Sequence, residues 1–192
     1  MQVHRHAHDV LTSFISKKGF SVTPHFHLET AWSATYTHGS GGRSTSCLAL
    51  YDPPSNVRLS AIGINSEMDA LPGVGHACGH NLIAIAGVAV ACAIKDAMEK
   101  FNLSGKIHLL GTPGLSPFLL LWVSGADENR CSGEEGGAGK HKLLDAGAYA
   151  GMDACLMCHP APGPIGSVSL SSSLANKAVW VEYFGHSCVA PT

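Results

Sequence analysis

Three clusters in this chain hold residue types able to do chemistry. The first is Ser66-Glu67-Met68-Asp69-Ala70-Leu71-Pro72-Gly73-Val74-Gly75-His76-Ala77-Cys78-Gly79-His80-Asn81, which contains two carboxylates, a thiol and two imidazoles. Cys78 and His80 are two apart, and Gly79 between them lets the backbone turn so that both face one cation. Thiolate plus imidazole suits Zn²⁺ or a similar ion; the competing reading is a buried cysteine beside a helix-capping histidine. Glu67 and Asp69 alternate at a strand end, so both point to one side. Asp69 is read as the carboxylate that orients a ligating histidine, with Glu67 lining the site; the alternative is a pair of solvated charges.

The second cluster is Gly133-Glu134-Glu135-Gly136-Gly137. Adjacent carboxylates point different ways, which suits two roles. One is a metal ligand, and the other is a base for a water whose pKa a metal lowers toward about 7. Acidic residues opening a helix are the plainer reading. The third cluster is Cys158-His159-Pro160, in which His159 is the ligand candidate. Cys155-Leu156-Met157-Cys158 is a single CxxC; a zinc ribbon needs two, so it is assigned to the core. Asn81 reads as a helix N-cap. His4, His6 and His8, near a free end, read as solvated.

Several elements must position these clusters. Val10, Leu11, Phe14 and Ile15 recur at helical spacing, and Lys17-Lys18-Gly19 ends that helix, so residues 7–18 are predicted helical. Residues 20–22 and 31–36 alternate as strands, and 61–65 form a short apolar strand ending at the carboxylates. Residues 81–101 are apolar on nearly every face until Lys95 and predict a helix buried against a sheet. A strand at 106–111, a helix at 137–149 and a buried strand at 153–158 follow. This alternation predicts an α/β fold with a mostly parallel, helix-covered sheet. Sites in such sheets form at the carboxyl ends of strands, where all three clusters fall. Residues 160–173 read as a loop, and a further strand at 178–184 marks a domain change near residue 176.

Composition narrows the function. With 192 residues, 45% hydrophobic and 14% charged, the chain reads as one globular domain. A net charge of -2 gives no electrostatic case for nucleic acid or a membrane surface. No apolar run is read as long enough to span a bilayer. Seven cysteines, an odd number irregularly spaced, argue for thiols in a reducing compartment. The first eight residues lack the apolar stretch of a secretory signal, so the cytoplasm is the default.

Taken together, GHACGHN, EEGGAGK and HPAPG resemble the dizinc aminoacylase and carboxypeptidase G type metallopeptidases. SEMDALPGVGHACGHNLIA is most similar to the Xaa-Arg dipeptidase and aminobenzoyl-glutamate hydrolase branch. The resemblance covers most of residues 5–188. It implies a zinc-peptidase-like catalytic domain over residues 1–175, and the start of a truncated dimerisation domain over 176–192. It implies two divalent ions, zinc or manganese, with Cys78, His80, Glu135 and His159 as metal ligands and Glu134 as general base. Asp69 stands beside them as a catalytic residue. The substrate class implied is a dipeptide or an N-acyl amino acid, cleaved at its amide bond by a metal-activated water. A homodimer is implied for a full-length protein and is not extended to this chain.

The chain also departs from that pattern. The family takes one more histidine ligand near its C-terminus, beyond Thr192, and Val189 stands where it has a second histidine after GHSC. Residues 44–60 and 114–132 read as insertions. A second expectation is therefore a truncated, inactive remnant that folds and binds metal without turnover. A third is a thiol-nucleophile hydrolase using Cys78 with His76 or His80.

Overall fold

The computed structural model describes residues 2–39, 61–70, 75–113 and 139–169. Helix α1 (Gln2–Lys17) leads into β1 (Ser21–Pro24) and β2 (Trp32–His38). Strand β3 (Ala61–Glu67) precedes α2 (His80–Phe101), then β4 (Gly105–Thr112), α3 (Gly139–Asp145) and β5 (Ala154–Leu156). The strands form one sheet in the order β1-β2-β4-β3-β5.

The α/β expectation holds, but among the described residues the sheet is mixed and not mostly parallel, and the parallel pairing belongs to the half that carries the candidate ligands. Strand β3 runs parallel to both β4 and β5. Strand β2 is antiparallel to β1 and to β4. For β1 and β2 the cause is local: they are joined by a short connection, and only antiparallel neighbours can be joined that way.

Alternation along the strands splits the core between two faces. On one face Ile64, Ile107 and Leu109 meet Ile15 of α1 and Ala84, Val88 and Ala91 of α2, with Trp32 fully buried among them. On the other, Leu110 packs with Leu143 of α3, Ala148 and Ala31. Gly111 stands opposite Trp32, and a Cβ there would run into the indole ring. Helix α2 approaches β3 through small residues. Ser66 Oγ donates to the Ala84 carbonyl at 2.8 Å, and a Cβ on Gly87 would lie 2.9 Å from Ser66 Cβ.

Four expectations need correction. Helix α1 starts earlier than residue 7, and its inner face is Ala7, His8, Leu11 and Ile15, while Val10 and Phe14 are exposed. His8 is accordingly buried and stacked on His25 with ring centroids 4.7 Å apart, not solvated.

Second, α2 is buried against the sheet as expected, but by one face only. Ile83, Ala84, Gly87, Val88 and Ala91 face the sheet, whereas Leu82 and Ile85 are exposed. A sheet covers one face of a helix only. In length and apolar composition α2 is also enough to cross a bilayer, contrary to the expectation from apolar runs.

Third, β5 is a three-residue edge strand, and both Cys155 and Cys158 are exposed, so the CxxC is not core. The strand pairs only with β3 among the described residues, and the chain leaves the sheet after Leu156.

Fourth, α3 stops at Asp145 and continues as turns, because Gly147 takes φ +77. The insertions at 44–60 and 114–132, the strand at 178–184 and the boundary near 176 lie outside the described residues.

Candidate metal centre

The site is built where β3 ends. Met68 N–H donates to the Thr112 carbonyl at 3.0 Å, which carries the β3–β4 ladder one residue further. The Met68 side chain is in the core, so Glu67 and Asp69 turn the other way. Both are buried, at 3% and 9% exposure, so neither is a solvated strand-end charge. The loop then folds back: His76 Nδ1 donates to the Asp69 carbonyl at 3.0 Å.

Gly79 begins α2 in the left-handed conformation at φ 83 and is its N-cap, with no side-chain capping bond. The helix thus opens on His80, and Asn81 is an exposed first-turn residue, not the cap.

His80 is 1% exposed. Its Nδ1 lies 2.7 Å from Asp69 Oδ1. Since a carboxylate oxygen only accepts, Nδ1 is the donor and a neutral ring carries its lone pair on Nε2. That atom is buried and has no hydrogen-bond partner. A polar nitrogen so placed is costly unless something meets it.

His159 follows the same logic from the other side of the site. Its Nδ1 donates to the Pro160 carbonyl at 2.7 Å, leaving Nε2, which lies 3.5 Å from Cys78 Sγ. The His80 and His159 rings meet edge to face, 6.0 Å between centroids. Gly79 makes this approach possible. A Cβ there would sit 2.8 Å from Pro160 Cγ, so a side chain between Cys78 and His80 would push His159 away.

The ligand atoms of Cys78, His80 and His159 all lie within 4.8 Å of one another. One thiol and two imidazoles, with a buried orphan Nε2, fit a borderline-soft divalent cation such as zinc. For the thiol-nucleophile reading, the imidazole within reach of Cys78 is His159, whereas His76 is committed to a backbone carbonyl.

Lys140 was missed from the sequence. Its ammonium pairs with Glu67 Oε1 beneath the site. It closes the EEGGAGK motif, but the motif gives no hint that α3 packs against the end of β3. The same face holds Asn65, whose Nδ2 donates to Thr112 Oγ1 at 3.2 Å and whose Oδ1 accepts from Tyr149 Oη at 3.3 Å. Burial above all, then the negative charges of Cys155 and Glu67, push the Tyr149 phenol up to about 12. Glu134 and Glu135 lie outside the described residues, so of the six residues singled out the structure brings together four: Asp69, Cys78, His80 and His159.

No protein-family profile matches the chain. It is 33% identical over 187 residues to the Xaa-Arg dipeptidase of Homo sapiens, covering 94% of this chain and 36% of that protein. It is 30% identical over 152 residues to a p-aminobenzoyl-glutamate hydrolase of Escherichia coli (strain K12), covering 78% of this chain and 27% of that protein. A crystal structure of a dinuclear metal-binding peptidase of the M20 family from Bacillus subtilis superposes with a TM-score of 0.51 at 17% identity. The match covers 79% of this chain and 35% of that one. The chain thus spans about a third of the length of the curated relatives it matches.

Proposed function

Because this chain belongs to the M20 metallopeptidase family, we propose that it carries the metal-binding part of a hydrolase that cleaves the amide bond of dipeptides or N-acyl amino acids. The observation that supports this most is the meeting of Cys78, His80 and His159 within 4.8 Å, from the carboxyl ends of two parallel strands. In this reading those three, with Glu135, hold two divalent ions, zinc or manganese. A divalent cation held by these residues would supply polarisation of the scissile carbonyl and would lower the pKa of water toward about 7.

The protein's own residues do the rest. Asp69 fixes the His80 ring and its tautomer, so that Nε2 presents a lone pair. Pro160 does the same for His159 through its carbonyl. Glu134 takes the proton of the attacking water and hands it to the leaving amine. Glu134 and Glu135 enter this reading through their motif. Residues 176–192 open a dimerisation segment, and the full-length protein is a homodimer.

The test is to load the purified chain with zinc or manganese, measure tightly held metal, and assay Xaa-Arg dipeptides and aminobenzoyl-glutamate. Two ions per chain, with turnover that Glu134→Gln removes while metal is retained, is the expected result. No bound metal, or a near-normal rate in Glu134→Gln, refutes it. That the chain matches only 36% of the human relative favours a second reading for these 192 residues by themselves, metal binding without turnover. A version extended to the relatives' length separates the two.

A further inference from the structure

Resting on the metal-centre reading above, we propose that Glu67 supplies a further donor atom to that centre, and that Lys140 holds its carboxylate in the orientation this requires. Glu67 is almost wholly removed from water. A carboxylate in that position needs partners at both oxygens. Oε1 has one, the Lys140 ammonium. Oε2 is buried and has no hydrogen-bond partner.

The atom facing Oε2 is His80 Nε2, 3.8 Å away and likewise buried without a hydrogen-bond partner. Because His80 Nδ1 donates to Asp69, a neutral His80 presents only a lone pair to Glu67. Two lone pairs pointed at each other repel. Even an imidazolium leaves the gap too long for a hydrogen bond. A cation between them satisfies both atoms at once. Metal–nitrogen and metal–oxygen bonds are about 2.0–2.2 Å long, so a single ion can touch both without moving either residue.

Lys140 accounts for the orientation. By fixing Oε1 it leaves Oε2 turned toward His80.

Co²⁺ is the probe, titrated into the purified chain. Its thiolate charge-transfer band reports Cys78, and its d–d bands report the number and type of donors. The wild type shows both. Glu67→Gln is expected to keep the charge-transfer band, bind Co²⁺ at least about tenfold more weakly, and show altered d–d bands. Lys140→Met weakens binding less, and Lys140→Arg restores it. Wild-type affinity together with unchanged d–d bands in Glu67→Gln overturns the proposal. A wild type that gives no charge-transfer band overturns the metal-centre reading itself, and this inference with it. Should Glu67→Gln fail to fold, a crystal structure of the Zn²⁺-loaded wild type decides. Oε2 within about 2.2 Å of the ion supports the proposal, and Oε2 out of reach of it refutes it.

Discussion

His80 and Asp69 are joined side chain to side chain, Nδ1 to Oδ1 at 2.7 Å, with both groups shielded from water. The carboxylate holds the imidazole in one tautomer and one orientation. Asp69→Asn keeps the shape but can turn its amide nitrogen toward Nδ1, which moves the ring proton to Nε2. Zinc affinity is then expected to fall about 10- to 100-fold, measured by competition with a chromophoric chelator. Unaltered affinity would show that Asp69 does not orient the ring.

Gly79 carries two demands at once, a φ of 83 and the Pro160 ring 2.8 Å from where a Cβ would lie. Gly79→Ala should lower stability by about 1–3 kcal/mol in urea unfolding. It should also weaken zinc binding, because Pro160 takes His159 with it. A change in stability alone would mean that His159 is positioned by something else.

Gly111 and Trp32 form a tight pair across β2 and β4. Adding a methyl at Gly111 overpacks a fully buried indole, and a cost of about 1–3 kcal/mol is expected for Gly111→Ala. Trp32→Phe in the same chain opens room, so the double variant should lose less than the two single losses combined. Additive losses in a denaturant double-mutant cycle would show that the two residues do not compete for space.

Tyr149 supplies a pH test. Burial and its negative neighbours push the phenol up to about 12, above the usual value of 10. The fold therefore favours the neutral phenol. This contribution is complete below about pH 10 and is lost as pH rises toward 12. An ultraviolet titration should show a late-ionising tyrosine that Tyr149→Phe removes, and the variant should lose stability less steeply over that window. A wild type whose tyrosines all ionise near pH 10 would contradict this.

The two faces of α2 give a packing test. Ile83 is buried and Leu82 is exposed. Ile83→Ala should cost about 2–5 kcal/mol, and Leu82→Ala no more than about 0.5 kcal/mol. Equal costs in urea unfolding would mean that the outward face is covered.

The metal cluster was legible because its residue types are rare together and stand at strand ends, a position that topology turns into proximity. Cys78, His80, His159 and the orienting Asp69 all follow from that. The Glu67–Lys140 pair does not, since it depends on how α3 packs against the end of β3, and neither residue is unusual where it stands. The outward face of α2 was unreadable for a different reason: where nearly every position is apolar, periodicity carries no directional signal. Burial of His8 was missed because it was grouped with His4 and His6 at the chain end, although it lies within the expected helix and on the same face as Leu11 and Ile15. The exposure of Cys155 and Cys158 follows from where β5 sits in the sheet, and strand order is not written in a local pattern.

Cys78 and His159 are 81 residues apart along the chain and 3.5 Å apart in space. With an ion seated as proposed, they close a circuit that encloses α2, β4, α3 and β5. A covalent crosslink closing a loop of that size removes about 4–5 kcal/mol of freedom from the unfolded chain in the simplest entropy treatment. Metal uptake would then do part of the work of folding. A chelator would release the β5 edge first, long before the helix-backed strands at the centre let go.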